Sequence, residues 1–187
     1  MDRSLEIQRE EFARSRFLAM PLAGSIAWAV VLVAALVLEP RWLPIVTFVA
    51  TGMIAYMGIG LSKLTGENFI DKSRPKNVFT SLFMHCVAMS VLVYAIAIPF
   101  FMIEPTSLPL SVGILTGLMW LPFSWIIRHW IGLFHAIART VLIVAVWYAV
   151  PAHRYAAVAL VILAMYAITI AVFEARWRRL PPLPATA

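Results

Sequence analysis

Charge is scarce in this chain, and acid is scarcer. Only 13% of its 187 residues are Asp, Glu, Lys or Arg, and just nine are acidic. A soluble domain carries about 25% charged residues. None of the nine acids falls inside a long apolar run, which argues against a cation or proton carrier driven by intramembrane carboxylates. A single cysteine, Cys86, excludes an intrachain disulfide. There is no His-Glu-x-x-His pair, no Gly-x-Ser-x-Gly elbow and no phosphate-binding loop, so no metal and no cofactor is expected. Gly58-Ile-Gly60 lacks the third glycine of a dinucleotide fingerprint. The four histidines, His85, His129, His135 and His153, do not share metal-ligand spacing.

Apolar surface is what the chain has in excess. Hydrophobic residues make up 63% of it, and the mean hydropathy is +0.90. A soluble globule of this length has too little interior to hide that much. The composition therefore indicates an all-α integral membrane protein. It excludes a disordered chain, a collagen, a disulfide scaffold and a free nucleic-acid-binding domain.

A helix needs about 20 apolar residues to cross a hydrocarbon core of about 30 Å. Six runs qualify: 17–38, 42–62, 78–103, 107–127, 130–150 and 154–173. Their continuity excludes a β-barrel, whose strands would alternate over about ten residues. Lys and Arg sort sharply between the connections. Thirteen lie in the N-terminal segment, the second and fourth connections with the start of the fifth run, and the tail. Only Arg41 and Arg154 lie on the other side. By the positive-inside rule, both termini are expected in the cytoplasm and the protein in the cell membrane. The net charge of +6 is then an orientation signal, with no nucleic-acid partner implied.

Three regions follow. Residues 1–16 read as a short helix on the cytoplasmic interface, with Leu5 and Phe12 on one face. Residues 17–173 form a six-helix transmembrane domain, and 174–187 an unstructured cytoplasmic tail that ends in a proline-rich stretch. The first run is too long for a signal peptide, and Glu6, Glu10 and Glu11 precede it, so it is expected to be retained. Glu67 and Asp71, in the connection after the second run, read as solvated charges or as partners for Arg128 or Arg139. The bases around them, Lys63, Lys72, Arg74 and Lys76, suit anionic phospholipids. One internal echo stands out. Leu43-Pro44 with Thr51-Gly52 recurs 65 residues later as Leu108-Pro109 with Thr116-Gly117.

Polar groups placed at depth carry the functional expectation, because a central charge costs about 2.5–3.5 kcal/mol to insert. At 1.5 Å per residue, His85 lies about 10 Å into the third run, and His135 and Arg139 about 8 and 13 Å into the fifth. Arg128, Gly132, His135 and Arg139 share one helical face, as do Thr116, Trp120 and Ser124 in the fourth run. Ser81, His85 and Met89 form a third such stripe, and Pro122 is expected to kink its helix and free a carbonyl near Leu118. If the stripes converge, they form a cationic, aromatic-walled cleft between the third, fourth and fifth runs, open to the cytoplasm. Such a cleft, built on His85, His135, Arg139, Trp120 and Ser124, would bind or translocate a small anionic or aromatic solute. The structural alternatives are snorkelling by Arg139, interfacial anchoring by His135, and a helix-carbonyl bond for His85. Two rival functions remain open. One is an accessory subunit of a larger membrane complex, and the other a lipid-modifying enzyme with a histidine base. A homodimer packed through Gly52, Gly58 and Gly60 is a further expected partner arrangement.

Overall fold

The computed structural model describes residues 3–71, 73 and 75–180. Of these, 82% are helical and none lies in a strand. Ten α-helices follow one another: α1 (Leu5–Ala13), α2 (Ala19–Val37), α3 (Leu43–Gly52), α4 (Ile54–Leu64), α5 (Val78–Leu92), α6 (Tyr94–Ile103), α7 (Ser107–Gly117), α8 (Trp120–Ile127), α9 (Trp130–Ala149) and α10 (Arg154–Arg178). Single 3-10 turns, Pro40–Trp42 and Pro151–His153, lead into α3 and α10. Five stretches are long and apolar enough to cross a membrane: Ala19–Val37, Val78–Ile103, Ser107–Ile127, Trp130–Ala149 and Pro151–Arg178. A sixth arises if Pro40–Gly52 and Ile54–Leu64, bent by 43°, count as one.

Two of the helix breaks have a common local cause. Thr51 donates its hydroxyl to the Thr47 carbonyl at 2.6 Å, and Thr116 donates to the Val112 carbonyl at 2.6 Å. Back-bonding of this kind bends a helix, and the glycine that follows each threonine lowers the resistance. The two Thr-Gly pairs of the internal echo thus sit at two joints, α3/α4 and α7/α8. The α7/α8 break lies within about a turn before Pro122, where its kink is expected, and only the freed carbonyl fails to appear. The Leu118 carbonyl is not freed, because the Leu121 N–H closes a tighter turn onto it at 3.1 Å.

The first and last long helices are the main partners in the bundle. α2 packs most extensively against α10, then α4, while α9 packs against α10, α7 and α8. The Val78–Ile103 stretch is peripheral, with only 17% of its apolar window buried.

The N-terminal helix is docked on the bundle. Ser4 caps α1 by accepting from the Ile7 N–H at 3.3 Å. Gln8 accepts from the Val78 N–H at 3.0 Å, Asn77 donates to the Gln8 carbonyl at 2.7 Å, and Glu6 pairs with Arg128 at 3.0 Å. Phe12 enters an aromatic cluster with Phe17, Phe83 and Phe123. Leu5 and Phe12, seven residues apart in α1, share a face, but only the Phe12 end of it is covered, at 6% exposed against 63% for Leu5. Protein contacts around Gln8 and Phe12 anchor this helix.

The tail also differs from expectation. α10 continues past 173 to Arg178, because Glu174 pairs with both Arg16 and Arg178 at 2.8 Å and Arg176 donates to the Ala13 carbonyl. These contacts bring the start of α2 and the end of α10 to the same end of the bundle. The proline-rich residues 181–187, and Lys72 and Arg74 among the expected lipid-facing bases, lie outside the described residues.

Candidate functional site

His135 and Arg139 lie one turn apart on α9 and are both 0% exposed. Their environment comes from three neighbouring helices. Arg139 donates through Nη2 to Thr116 Oγ1 of α7 at 3.1 Å, and through Nη1 to Tyr166 OH of α10 at 3.3 Å. The same Nη1 lies 3.3 Å from His135 Nε2. The Tyr166 ring also sits under the guanidinium, 5.4 Å from its carbon. On the far side of the imidazole, His135 Nδ1 is 2.7 Å from Thr169 Oγ1. Trp120 of α8 covers the ring, with centroids 4.6 Å apart and planes 31° from parallel.

Proton bookkeeping orients this network. The Thr169 hydroxyl donates its one hydrogen to the Met165 carbonyl at 2.8 Å, so it can only accept from His135. His135 therefore carries its hydrogen on Nδ1 and presents a bare Nε2 to the Arg139 N–H. Thr116 is oriented in the same way, because its hydrogen goes to the Val112 carbonyl and a lone pair is left for Arg139. Each hydroxyl around the guanidinium is a neutral acceptor. Among the described residues, no carboxylate pairs with Arg139, and its buried Nε has no hydrogen-bond partner.

Two glycines make this packing possible. A Cβ at Gly24 of α2 would lie 2.4 Å from the Tyr166 Cζ and hydroxyl, so only glycine leaves room for that ring. A Cβ at Gly117 would lie 3.2 Å from Arg139 Cδ, tighter than ordinary contact. The joint between α7 and α8 therefore lies directly against the arginine stem.

The structure brings together three of the five residues expected at the site: His135, Arg139 and Trp120. His85 is elsewhere. It is exposed on α5, and its Nδ1 lies 2.7 Å from the Ser81 carbonyl of its own helix. Its stripe partners Ser81 and Met89 are exposed as well. The physical reason is the peripheral position of α5, which packs mainly on α1 and α8 and leaves this face uncovered. Ser124 is committed to the α8–α9 turn, donating to the His129 carbonyl at 2.5 Å. The polar group therefore belongs to α7, α8, α9 and α10, and the side chains of His135 and Arg139 are both fully buried in it.

Three residues of this region escaped the sequence reading as site members. Tyr166 and Thr169 complete the network from α10. Their signal was present, since they are hydroxyl residues three apart in an otherwise apolar run. Glu67 is the third. It is 7% exposed, and its Oε1 accepts from the Leu18 and Ala19 N–H groups at 2.7 and 2.9 Å, capping α2. It pairs with neither Arg128 nor Arg139. Burial pushes its carboxyl above the usual range, against the pull of the two N–H groups, the Thr65 hydroxyl and the Arg16 charge.

These features define a class: an all-helical protein with five or six helices able to cross a membrane, and a buried, uncompensated arginine held by neutral hydroxyl and imidazole partners. The chain belongs to a family of unknown function, DUF7010, whose model matches residues 5–175. No curated protein and no solved structure matches it.

Proposed function

We propose that this protein binds and translocates a small anionic solute, with Arg139 as the counter-charge. In this reading it is a six-span protein of the cell membrane with both termini in the cytoplasm. The observation that carries the proposal is the Arg139 guanidinium, fully buried with only neutral partners and with Nε unbonded. Burying an ion without a counter-ion costs several kcal/mol, and inside a membrane such a residue is a functional group by default. A carboxylate or similar anion would supply the missing charge, and the Trp120 and His135 rings would favour an aromatic one.

The buried state is an occluded one, and the joint between α7 and α8 is where it opens. That joint touches Arg139 through Thr116 and Gly117, so tilting α8 moves Trp120 off the imidazole and exposes the guanidinium. The topology is supported by the distribution of Lys and Arg, thirteen against two, and by the meeting of Arg16 with Glu174, since an even number of crossings returns the chain to its starting side.

The test is a thermal-shift titration of the purified protein with chloride, acetate and benzoate, followed by flux of the stabilising anion in proteoliposomes. Arg139→Gln should abolish both responses, whereas His85→Ala should leave them intact. Equal responses in wild type and Arg139→Gln would refute the assignment.

One observation favours a second reading, an accessory subunit of a membrane complex. The Val78–Ile103 stretch leaves most of its surface uncovered and turns Ser81 and His85 outward. Cross-linking from a cysteine at Ser81 to a larger partner, together with no anion response, would support it.

A further inference from the structure

Phe17, in the turn between α1 and α2, has φ +59°, in the left-handed region that a bulky side chain adopts only when its surroundings force it. Those surroundings are three rings, with centroids 5.2 Å away at Phe12, 5.0 Å at Phe123 and 5.9 Å at Phe173. Phe123 and Phe173 belong to α8 and α10, inside the bundle. Phe12 comes from α1, which is lightly held. Of its nine residues only Gln8 and Phe12 are buried. Its polar bonds to Asn77, Val78 and Arg128 are part-buried or exposed, where water can replace them. Arg9 makes a further link. Its guanidinium carbon lies 5.5 Å from the Phe79 ring of α5 and 4.6 Å from the Trp125 ring of α8. Thus α1 touches α8 at Phe123, Trp125 and Arg128, along its length.

We propose that α1 is a lid over the Arg139 cluster, and that it must lift before α8 can tilt. This rests on the reading that a tilt of α8 exposes Arg139. The line of contact from lid to cluster is continuous. Phe12 lies 6.3 Å from Phe123, Phe123 lies 5.5 Å from Trp120, and Trp120 covers His135. While α1 is docked, Phe123 is packed among Phe12, Phe17 and Phe83, and α8 has no space on that side. When α1 lifts, Phe12 vacates the space and Phe17 loses one of the rings that hold it at positive φ. The strain at Phe17 therefore favours the lifted state, while Phe12 and Arg9 favour the docked one. The end of the helix stays with the bundle, because Arg176 of α10 donates to the Ala13 carbonyl, and α1 pivots there. Light burial keeps release cheap, as moving elements require.

The experiment follows carbethoxylation of His135 by diethylpyrocarbonate on the full chain in nanodiscs, with each modified histidine identified by mass spectrometry. His85, exposed on α5, is the internal standard. In wild type His135 should react far more slowly than His85. Phe12→Ala removes the ring beside Phe123 and should speed the His135 reaction by about tenfold or more. Arg9→Gln keeps most of the bulk, loses the cation and should speed it severalfold. Phe48→Ala is the control. It removes a similar ring from α3, where Phe48 packs on Tyr94 and Phe101, and should leave the His135 rate as in wild type. An unchanged His135 rate in Phe12→Ala, or equal acceleration in Phe48→Ala, would overturn the proposal. If Phe12→Ala does not fold, Arg9→Gln decides, and a wild-type rate there overturns it equally. No anion enters this measurement, so failure of the lid and failure of the anion reading are separable.

Discussion

Replacing Gly24 by alanine is the sharpest test of the packing that holds the arginine cluster. The added methyl would lie 2.4 Å from both the Cζ and the hydroxyl of Tyr166, where carbon atoms at rest prefer about 3.5–4.0 Å. The ring must therefore retreat by about 1 Å. Behind it lie His135, with ring centroids 5.2 Å apart, and Trp120 at 6.4 Å in an edge contact, so there is nowhere empty to go. Overpacking of this kind costs about 1–3 kcal/mol. Losing the 3.3 Å Arg139–Tyr166 bond, a hydrogen bond from a charged donor, adds about 1.5–3 kcal/mol. Together, at about 2.5–6 kcal/mol, they correspond to a fall in Tm of about 5–24 °C for a chain of this length. The assay is thermal unfolding in nanodiscs followed by tryptophan fluorescence, with Gly52→Ala as the control. Nothing lies within 4 Å of a Cβ at Gly52, so that variant should melt like wild type or slightly higher. If Gly24→Ala and Gly52→Ala melt together, Tyr166 is not wedged against α2 and the account of the cluster fails.

Three other outcomes are expected. Thr169→Val removes the acceptor of the His135 Nδ1–H and leaves it buried and unbonded, at a cost of about 1–3 kcal/mol that the same melts will register. Because burial raises the Glu67 carboxyl in the fold, the native chain holds that proton to higher pH than the unfolded chain does. Its stabilising contribution is therefore complete below the ordinary carboxylate range and is lost as pH rises toward the raised value. Wild type should accordingly lose Tm relative to Glu67→Gln as pH rises above the ordinary carboxylate range, and parallel profiles would count against a buried Glu67. Glu174→Ala releases both Arg16 and Arg178, so trypsin should cut after Arg176 and Arg178 faster than in wild type, and equal rates would show that these pairs do not hold the last turn of α10.

The long apolar stretches were legible in the sequence because about 20 greasy residues in a row is a one-dimensional property. Their ends agree with the helices to within a few residues, apart from the extra turn after 173. Which face meets which neighbour is a two-body property, and there the reading divided. Arg139, His135 and Trp120 were found because depth and helical spacing single them out. His85 has the same credentials but rides on a peripheral helix, and nothing in its own spacing reports that. Tyr166 and Thr169 were passed over because hydroxyls in an apolar run are cheap and common. Glu67 looked like one more loop charge among bases. Its burial follows from the backbone around it, where Gly66 at φ +79° and Asn68 at φ +39° turn the connection back onto the start of α2.

The pairing of the earliest long helix with the last has a consequence for biogenesis. During translation α2 is made well before α10 exists, and its notch at Gly24 stays unfilled until Tyr166 arrives. A nascent chain stalled between residues 139 and 154 would hold Arg139 without its Tyr166 partner and α2 without its most extensive neighbour.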